Sequence, residues 1–186
     1  LEEFFNILNV CSKSDPPSSN QAVIITNAGG PGVLTTDAFE NKSLQLSSIP
    51  QEKKNKLRQF LPAESSVENP IDLLGDARDD RYKKTLGIVA SDFDAGSVFC
   101  ILTPQDQTPV ERVANAIINF KRQNKKTIVA VFIGGEKVSQ AVSRMKSEGV
   151  VTISFPDQAV KALDAYYIWG KNKIKNKIGK ILSINK

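Results

Sequence analysis

The strongest constraint on the fold is a regular alternation between short apolar runs and longer segments of helical period. Four runs are apolar almost throughout and only five to seven residues long. They are 22–26, 97–103, 127–133 and 150–155. Strands that are covered on both faces of a parallel sheet have this unbroken apolar character. Two weaker segments, 44–49 and 70–74, also have the composition of strands. The sequence therefore predicts an α/β fold built on a parallel sheet.

The segments between the apolar runs carry signals for helices. Thr108 and Glu111 are spaced as a capping box around Pro109, which predicts a helix start at that point. Residues 33–42 predict another helix, which follows a cluster of glycines. With helices between successive strands, we expect a flavodoxin-like, doubly wound parallel sheet of about five strands with helices on both faces.

The N-terminal residues predict an amphipathic helix. Their apolar side chains follow the i, i+3, i+4, i+7 spacing of one helix face: Leu1, Phe4, Phe5 and Leu8. Aromatic side chains in such a stripe usually pack in the core or at its edge, and we expect this of Phe4 and Phe5.

The composition excludes several kinds of catalytic site. The chain contains no histidine, which rules out a Ser-His-Asp triad, a histidine-ligated metal and a phosphohistidine within these residues. Its two cysteines, Cys11 and Cys100, are too few for a disulfide framework or a metal site and predict a reducing, cytoplasmic setting. We therefore expect no metal site, and no residue stands out as a catalytic group.

The positive charge of the chain is concentrated at its C-terminal end. Residues 171–186 hold six of the 25 basic residues, which leaves 19 against 20 acidic ones elsewhere. A nearly neutral body predicts no nucleic-acid partner, and no apolar run is long enough to cross a membrane. The segment could lie on a membrane surface, but a solvated linker to a further domain is the favoured interpretation. We thus expect an N-terminal helix and linker (1–20), one flavodoxin-like domain (21–170) and a basic tail (171–186).

Glycine and polar residues gather where the predicted strands end. These turns are 27–32, 72–76, 103–108 and 134–136. Ligands of doubly wound sheets bind beyond the carboxyl ends of the strands, and helix N-termini there favour anions. Each turn also has a simpler interpretation: tight turns for the glycines, and backbone caps for Asp72, Asp76 and Thr108. The residues alone thus indicate an anion-friendly sheet edge.

Several of these motifs together resemble a known family. The segments "VIITNAGGPGVLTTDAFE", "NPIDLLGDA", "VFCILTPQDQTPVERVANAI" and "VAVFIGGEKV" resemble, in order and spacing, the second flavodoxin-like domain of the acyl-CoA synthetases that form a nucleoside diphosphate. These enzymes are relatives of succinyl-CoA synthetase and include ADP-forming acetate–CoA ligases. The resemblance covers about residues 1–170.

The resemblance implies a ligase that makes acyl-CoA from a carboxylic acid, CoA and ATP through an acyl phosphate and a phosphohistidine. CoA, ATP or ADP, and Mg would be substrates of the complete enzyme, with no tightly bound cofactor. The partners would be a CoA-binding domain, a domain with the phosphohistidine and an ATP-grasp domain. Because this chain lacks histidine, it would supply only one face of the phosphate site and be inactive alone. The alternative is a non-catalytic binding or regulatory domain of a related protein lysine acetyltransferase.

The resemblance also assigns binding residues. Asn27 matches an asparagine that contacts substrate, and the neighbouring glycines form its loop: Gly29, Gly30 and Gly32. Gln107 and Thr108 fall in a second substrate-and-phosphate loop, which departs from the family pattern. Asp106 in that loop would repel a phosphate unless it points away or binds a cation.

Overall fold

The computed structural model describes residues 1–91 and 94–184, with side chains as far as Lys173. The helices are α1 (Glu2–Lys13), α2 (Gly29–Asp37), α3 (Gln51–Arg58), α4 (Asp79–Ala90), α5 (Val110–Gln123), α6 (Glu136–Ser147) and α7 (Pro156–Ile184). The strands are β1 (Gln21–Thr26), β2 (Gln45–Leu46), β3 (Ile71–Asp72), β4 (Ser97–Leu102), β5 (Thr127–Phe132) and β6 (Val151–Thr152).

All paired strands of the sheet are parallel, and their order is β2-β1-β4-β5-β6, with β3 also paired to β1. Because β4 occupies one edge of β1, the two-residue strands β2 and β3 must share the other. β2 pairs at Gln21 and Ala22, and β3 pairs at Ile25 and Thr26. Six strands therefore fill five positions in the flavodoxin-like order, against the expected number of about five.

A side chain closes the gap that β2 and β3 leave on the edge of β1. The Asn69 amide accepts a hydrogen bond from the Ile24 N–H (2.9 Å) and donates to the Ala22 carbonyl (2.8 Å). It also donates to the Ser47 carbonyl, just after β2 (2.9 Å). Asn69 precedes a cis proline, Pro70. The amide thus replaces a strand residue and satisfies the backbone groups between the two short strands.

Apolar side chains from the two faces of the sheet form two cores. On one face, Val23 and Ile25 of β1 and alternate residues of β4 and β5 pack against α3, α4, α5 and α6. On the other, Ile24 of β1 and Phe99 of β4 pack with Val10 of α1 and with α7. The predicted α/β architecture with helices on both faces is confirmed, and the unbroken apolar runs result from burial on both sides.

The N-terminal helix differs from the sequence expectation. Helix α1 packs on the body through Val10 and Ile7, whereas Phe4 and Phe5 are exposed. The prediction that the stripe containing these phenylalanines is the packed face was therefore wrong. Asn6 and Asn9 fix the helix instead, by hydrogen bonds to Gln158 and to the Thr152 carbonyl.

Two predicted helix starts also differ from the structure. Helix α2 begins at Gly29 and not after the glycines, since Pro31 within the first turn needs no N–H partner. Helix α5 begins at Val110 without a side-chain cap, so the capping box of Thr108 and Glu111 does not form. The Thr108 hydroxyl instead accepts a hydrogen bond from the Gln105 N–H (3.1 Å).

The segment after β6 is a single long helix, α7, which runs into the basic tail and is described as far as Ile184. Tyr166 of this helix donates to the Ser14 carbonyl (2.8 Å) and so ties α7 to the loop after α1. The side chains of 174–186, on which the linker and membrane-surface interpretations of the tail depend, lie outside the described residues. Within the described part of the chain, no helix is long and apolar enough to cross a membrane.

Candidate functional site at the carboxyl edge of the sheet

Asn27 joins the two central strands just beyond their carboxyl ends. Its buried side-chain amide donates to the Thr103 carbonyl and accepts from the Thr103 N–H, both at 2.9 Å. These two bonds continue the ladder between β1 and β4 by one step, at the point where the strand order reverses. Asn27 is therefore held rigidly at the position where doubly wound sheets bind ligands, although its amide already has partners on both sides.

A buried tyrosine supports the carboxyl ends of β1 and β4 from the core on one face of the sheet. Tyr82 of α4 is completely buried, and its hydroxyl donates to the Ile101 carbonyl (2.9 Å). Burial, followed by the nearby Cys100 and Asp72, raises the pKa of Tyr82 above its ordinary value of 10.0, and the Asn27 backbone acts in the opposite direction. The hydroxyl therefore stays neutral at physiological pH and serves as a fixed hydrogen-bonding support for the loop after β1.

The glycines predicted to bind phosphate form the first turn of α2. The N–H of Gly32 bonds to the Ala28 carbonyl (3.1 Å), so those of Gly29 and Gly30 precede the hydrogen-bonded part of the helix. Gly29 and Gly30 are exposed, while Gly32 is buried. The first turn has no side chains at these positions and presents backbone N–H groups together with the positive end of the helix dipole, an arrangement that favours anions.

The loop after β3 borders this turn. A Cβ on Gly29 would lie 3.8 Å from Asp72 Oδ2, and the other carboxylate oxygen of Asp72 accepts from the Leu74 N–H (2.9 Å). Asp76 pairs with both Nη atoms of Arg81 (2.6 and 3.0 Å), and the Arg81 hydrogen bond lowers the pKa of Asp76 from its ordinary value of 3.8. Both predicted capping residues therefore have structural partners.

The loop after β4 is compact and exposed. Thr108 and Gln105 close it with two hydrogen bonds, from the Thr108 N–H to the Gln105 carbonyl (3.0 Å) and from the Gln105 N–H to the Thr108 hydroxyl. Asp106 and Gln107 are exposed at its tip. A Cβ on Gly75 would lie 3.8 Å from the Gln105 side chain and 4.0 Å from the Asn27 carbonyl, so this loop meets the loop after β3 beside Asn27.

The six predicted binding residues thus lie along one edge of the sheet. Asn27 and Thr108 are engaged with the backbone, Gly29 and Gly30 are open to solvent, Gly32 packs inward, and Gln107 is exposed. The described residues include no cluster of three or more cysteine, aspartate or glutamate side chains that could hold a metal ion. This edge presents backbone N–H groups of the kind that favour an anion, and the Asp72 carboxylate borders them.

Three grooves lie away from this edge or at its margin. One of about 480 Å³ opens between the starts of α5 and α6, one of about 520 Å³ lies between α4 and α5, and one of about 700 Å³ lies at the amino edge of the sheet.

Sequence reasoning missed two supporting residues of the site. The supporting role of Tyr82 had no local signal, because a tyrosine in a helix resembles ordinary core packing. Asn69 lies in the quoted "NPIDLLGDA" motif, but nothing in the motif shows that its side chain replaces a strand residue.

Comparison with known proteins decides the family. Residues 22–176 match the family model described as the Ligase-CoA domain. The chain belongs to this family. The chain is 33% identical to the ADP-forming acetate–CoA ligase I of Archaeoglobus fulgidus over 185 residues, covering 100% of this chain and 26% of that enzyme. It is 35% identical to the ADP-forming acetate–CoA ligase of Methanocaldococcus jannaschii over 179 residues, covering 94% of this chain and 25% of that enzyme.

A solved structure has the same fold. The dinucleotide-forming acetyl-coenzyme A synthetase 1 of Candidatus Korarchaeum cryptofilum, in complex with phosphate and ADP, superposes with a TM-score of 0.85 at 26% identity, covering 92% of this chain and 37% of that one. The Ligase-CoA chain therefore corresponds to one domain of ADP-forming CoA ligases and spans about a quarter of the length of the two curated relatives.

Proposed function

We propose that this chain is one domain of an ADP-forming acyl-CoA synthetase, which makes acyl-CoA from a carboxylic acid, CoA and ATP through an acyl phosphate and a phosphohistidine. The observation that carries the proposal is the first turn of α2, where exposed Gly29 and Gly30 lie at the carboxyl edge beside Asn27. This chain supplies one face of the phosphate site. The curated relatives, both ADP-forming acetate–CoA ligases, support the reaction class.

The chemistry of the chain limits its role to positioning. Backbone N–H groups at the first turn of α2 would take the phosphate oxygens, and the helix dipole would stabilise their charge without a side-chain proton transfer. The phosphohistidine must come from another domain, because this chain has no histidine. A CoA-binding domain and an ATP-grasp domain complete the enzyme, with Mg accompanying the nucleotide. A reducing cytoplasm is the expected setting, since two cysteines are too few for a disulfide framework.

The test compares the chain of residues 1–186 with the complete protein encoded by the same gene. Each is incubated with acetate, CoA and ATP, and acetyl-CoA and ADP are quantified by chromatography. We expect product from the complete protein only. Turnover by the 186-residue chain would contradict the proposal that this chain supplies only one face of the phosphate site. A complete protein that folds and carries an acetyltransferase domain, yet forms no acyl-CoA with a panel of short acids, would favour the regulatory alternative.

A further inference from the structure

The outward side of α1 is an apolar surface exposed to solvent. We name its apolar side chains the outer face of α1. The exposed fraction is 98% for Leu1, 60% for Phe4, 58% for Phe5 and 46% for Leu8. The two phenylalanine rings contact each other edge to face, with centroids 6.0 Å apart. A contiguous apolar patch of this kind on a folded domain is typical of an interaction surface.

The outer face of α1 is exposed although the helix is firmly attached. Val10, on the opposite side, is fully buried, and Asn9 donates to the Thr152 carbonyl (3.0 Å). Asn6 bonds to Gln158 (3.2 Å), and Lys13 reaches the Val150 carbonyl (3.4 Å). Turning the phenylalanines inward would break these bonds and expose Val10. The exposure of the outer face is therefore a property of the folded domain.

The contacts of α1 place its first half at the same edge of the sheet as the proposed site, on the side of β6. Asn6 and Asn9 contact the start of α7 and the end of β6, so the first half of the helix lies at the carboxyl edge of the sheet. Phe155, between β6 and α7, is also exposed. A body that covers the outer face of α1 would thus approach the same edge that carries Asn27 and α2.

We propose that the outer face of α1 is the docking surface for another folded domain of the same synthetase, which contributes a complementary apolar surface. The inference rests on the proposed function in one respect, that the chain is one domain of a larger synthetase. About three quarters of the length of each curated relative lies outside the matched region. A domain tethered to this one has an effective concentration in the millimolar range, so it occupies an apolar face before a second chain can.

Cys11 reports on the outer face of α1. It follows Phe4 by seven residues and Leu8 by three, which places it on the same side of the helix. Its thiol is exposed, whereas Cys100 is buried in β4 and provides an internal control for unfolding. Labelling with a maleimide, read by peptide mass spectrometry, therefore measures coverage of α1 directly.

The experiment measures the labelling rate of Cys11 in residues 1–186 and in the complete protein, at one pH and without substrates. We expect Cys11 to react about tenfold or more slowly in the complete protein, because a covered thiol reacts only from the undocked fraction. Phe4→Ser with Phe5→Ser should restore the rate of the isolated chain. The matched control Ile168→Ser, which removes an exposed apolar side chain of α7, should leave Cys11 protected.

Three outcomes would overturn the inference. The first is an equal Cys11 rate in both proteins, and the second is protection that survives in the Phe4, Phe5 double variant. The third is slow labelling of Cys11 already in residues 1–186, at a rate that depends on protein concentration. Together with a dimer in light scattering, this result would assign the outer face of α1 to a second copy of the chain. Melting of each variant as the isolated chain checks folding, and Phe5→Ser alone replaces the double variant if that fails to fold. Labelling does not depend on turnover. If Cys11 is protected but the complete protein forms no acyl-CoA, the proposed reaction is wrong and the docking surface still stands.

Discussion

Glycine serves two different purposes in the first turn of α2. A Cβ on Gly32 would lie 3.1 Å from Thr26 Cγ2 and 3.8 Å from Pro70 Cβ, so the missing side chain allows the helix to approach β1. A Cβ on Gly30 would meet no atom within 4 Å. Gly30 also lacks a positive φ, so a larger residue there has no backbone strain. Close packing therefore favours glycine at position 32, whereas packing places no such demand on position 30.

This difference predicts opposite effects of valine at the two positions. Gly32→Val should lower the free energy of unfolding by about 1–3 kcal/mol through overpacking. Gly30→Val should change it by less than about 0.5 kcal/mol. It should nevertheless lower single-turnover phosphoryl transfer in the complete enzyme by about a hundred- to a thousandfold, because the branched side chain would keep the phosphate away from the oriented backbone donors. Thermal melting and rapid-quench kinetics on the same preparations measure both quantities. Normal transfer by a folded Gly30→Val enzyme would remove this residue from the site.

At the scale of elements, the edge of β1 depends on a single side chain. β2 and β3 pair with the two ends of β1. Between them, the Asn69 amide accepts from the Ile24 N–H and shares the Ala22 carbonyl with the Ser47 N–H. Two-residue strands have few hydrogen bonds of their own. The amide therefore holds both strands in register through one shared set of bonds.

Replacement of Asn69 by alanine should consequently destabilise this edge. The Ile24 N–H and the Ser47 carbonyl would lose their Asn69 partners, with an expected loss of about 2–4 kcal/mol in the free energy of unfolding, measured in urea. Asn20→Ala is the matched control, because the Asn20 amide makes an exposed side-chain bond to the Ser43 carbonyl (3.2 Å). It should change stability by less than about 0.5 kcal/mol. Equal effects of the two variants would show that the Asn69 bonds carry no special weight.

The elements also show what sequence patterns could and could not predict. Strands β4 and β5 were predictable because burial on both faces leaves an unbroken apolar run. The face of α1 was mispredicted because periodicity finds an apolar stripe but does not say which body covers it. Glycine disfavours helix interiors, so the sequence predicted that α2 begins after the glycines. The helix in fact begins at Gly29, because the N–H groups of a first turn have no partners within the helix and glycine and proline are tolerated there.

The candidate site was predictable only in outline. The carboxyl edge followed from the parallel topology, and the resemblance supplied Asn27 and the glycines. The clamp between Asn27 and Thr103 spans 76 residues of sequence. Such a pairing has no local periodicity, and the same is true of the support from Tyr82. Local sequence patterns therefore could not predict these contacts between distant segments.

At the scale of the whole molecule, unfolding exposes titratable groups that the core keeps neutral. Tyr82 and Cys100 belong to the same core cluster, between the sheet and helices α3 to α6. Burial raises the pKa of the Cys100 thiol above its ordinary value of 9.0 and that of Tyr82 above 10.0. In the unfolded chain both groups lose their protons near the ordinary values, so alkaline pH favours the unfolded state.

The contribution of these two groups to the free energy of unfolding should therefore be fully present below about pH 8.5. It should fall as the pH rises through 9 and 10, by up to about 1.4 kcal/mol per pH unit for each group that only the unfolded chain deprotonates. Cys100→Ala should flatten the fall that begins near pH 9, and Tyr82→Phe the part above pH 10. The tyrosine variant should also start from a lower stability, since it loses the bond to the Ile101 carbonyl. Urea unfolding at several pH values measures these slopes. Unchanged slopes in both variants would mean that other groups govern the alkaline transition.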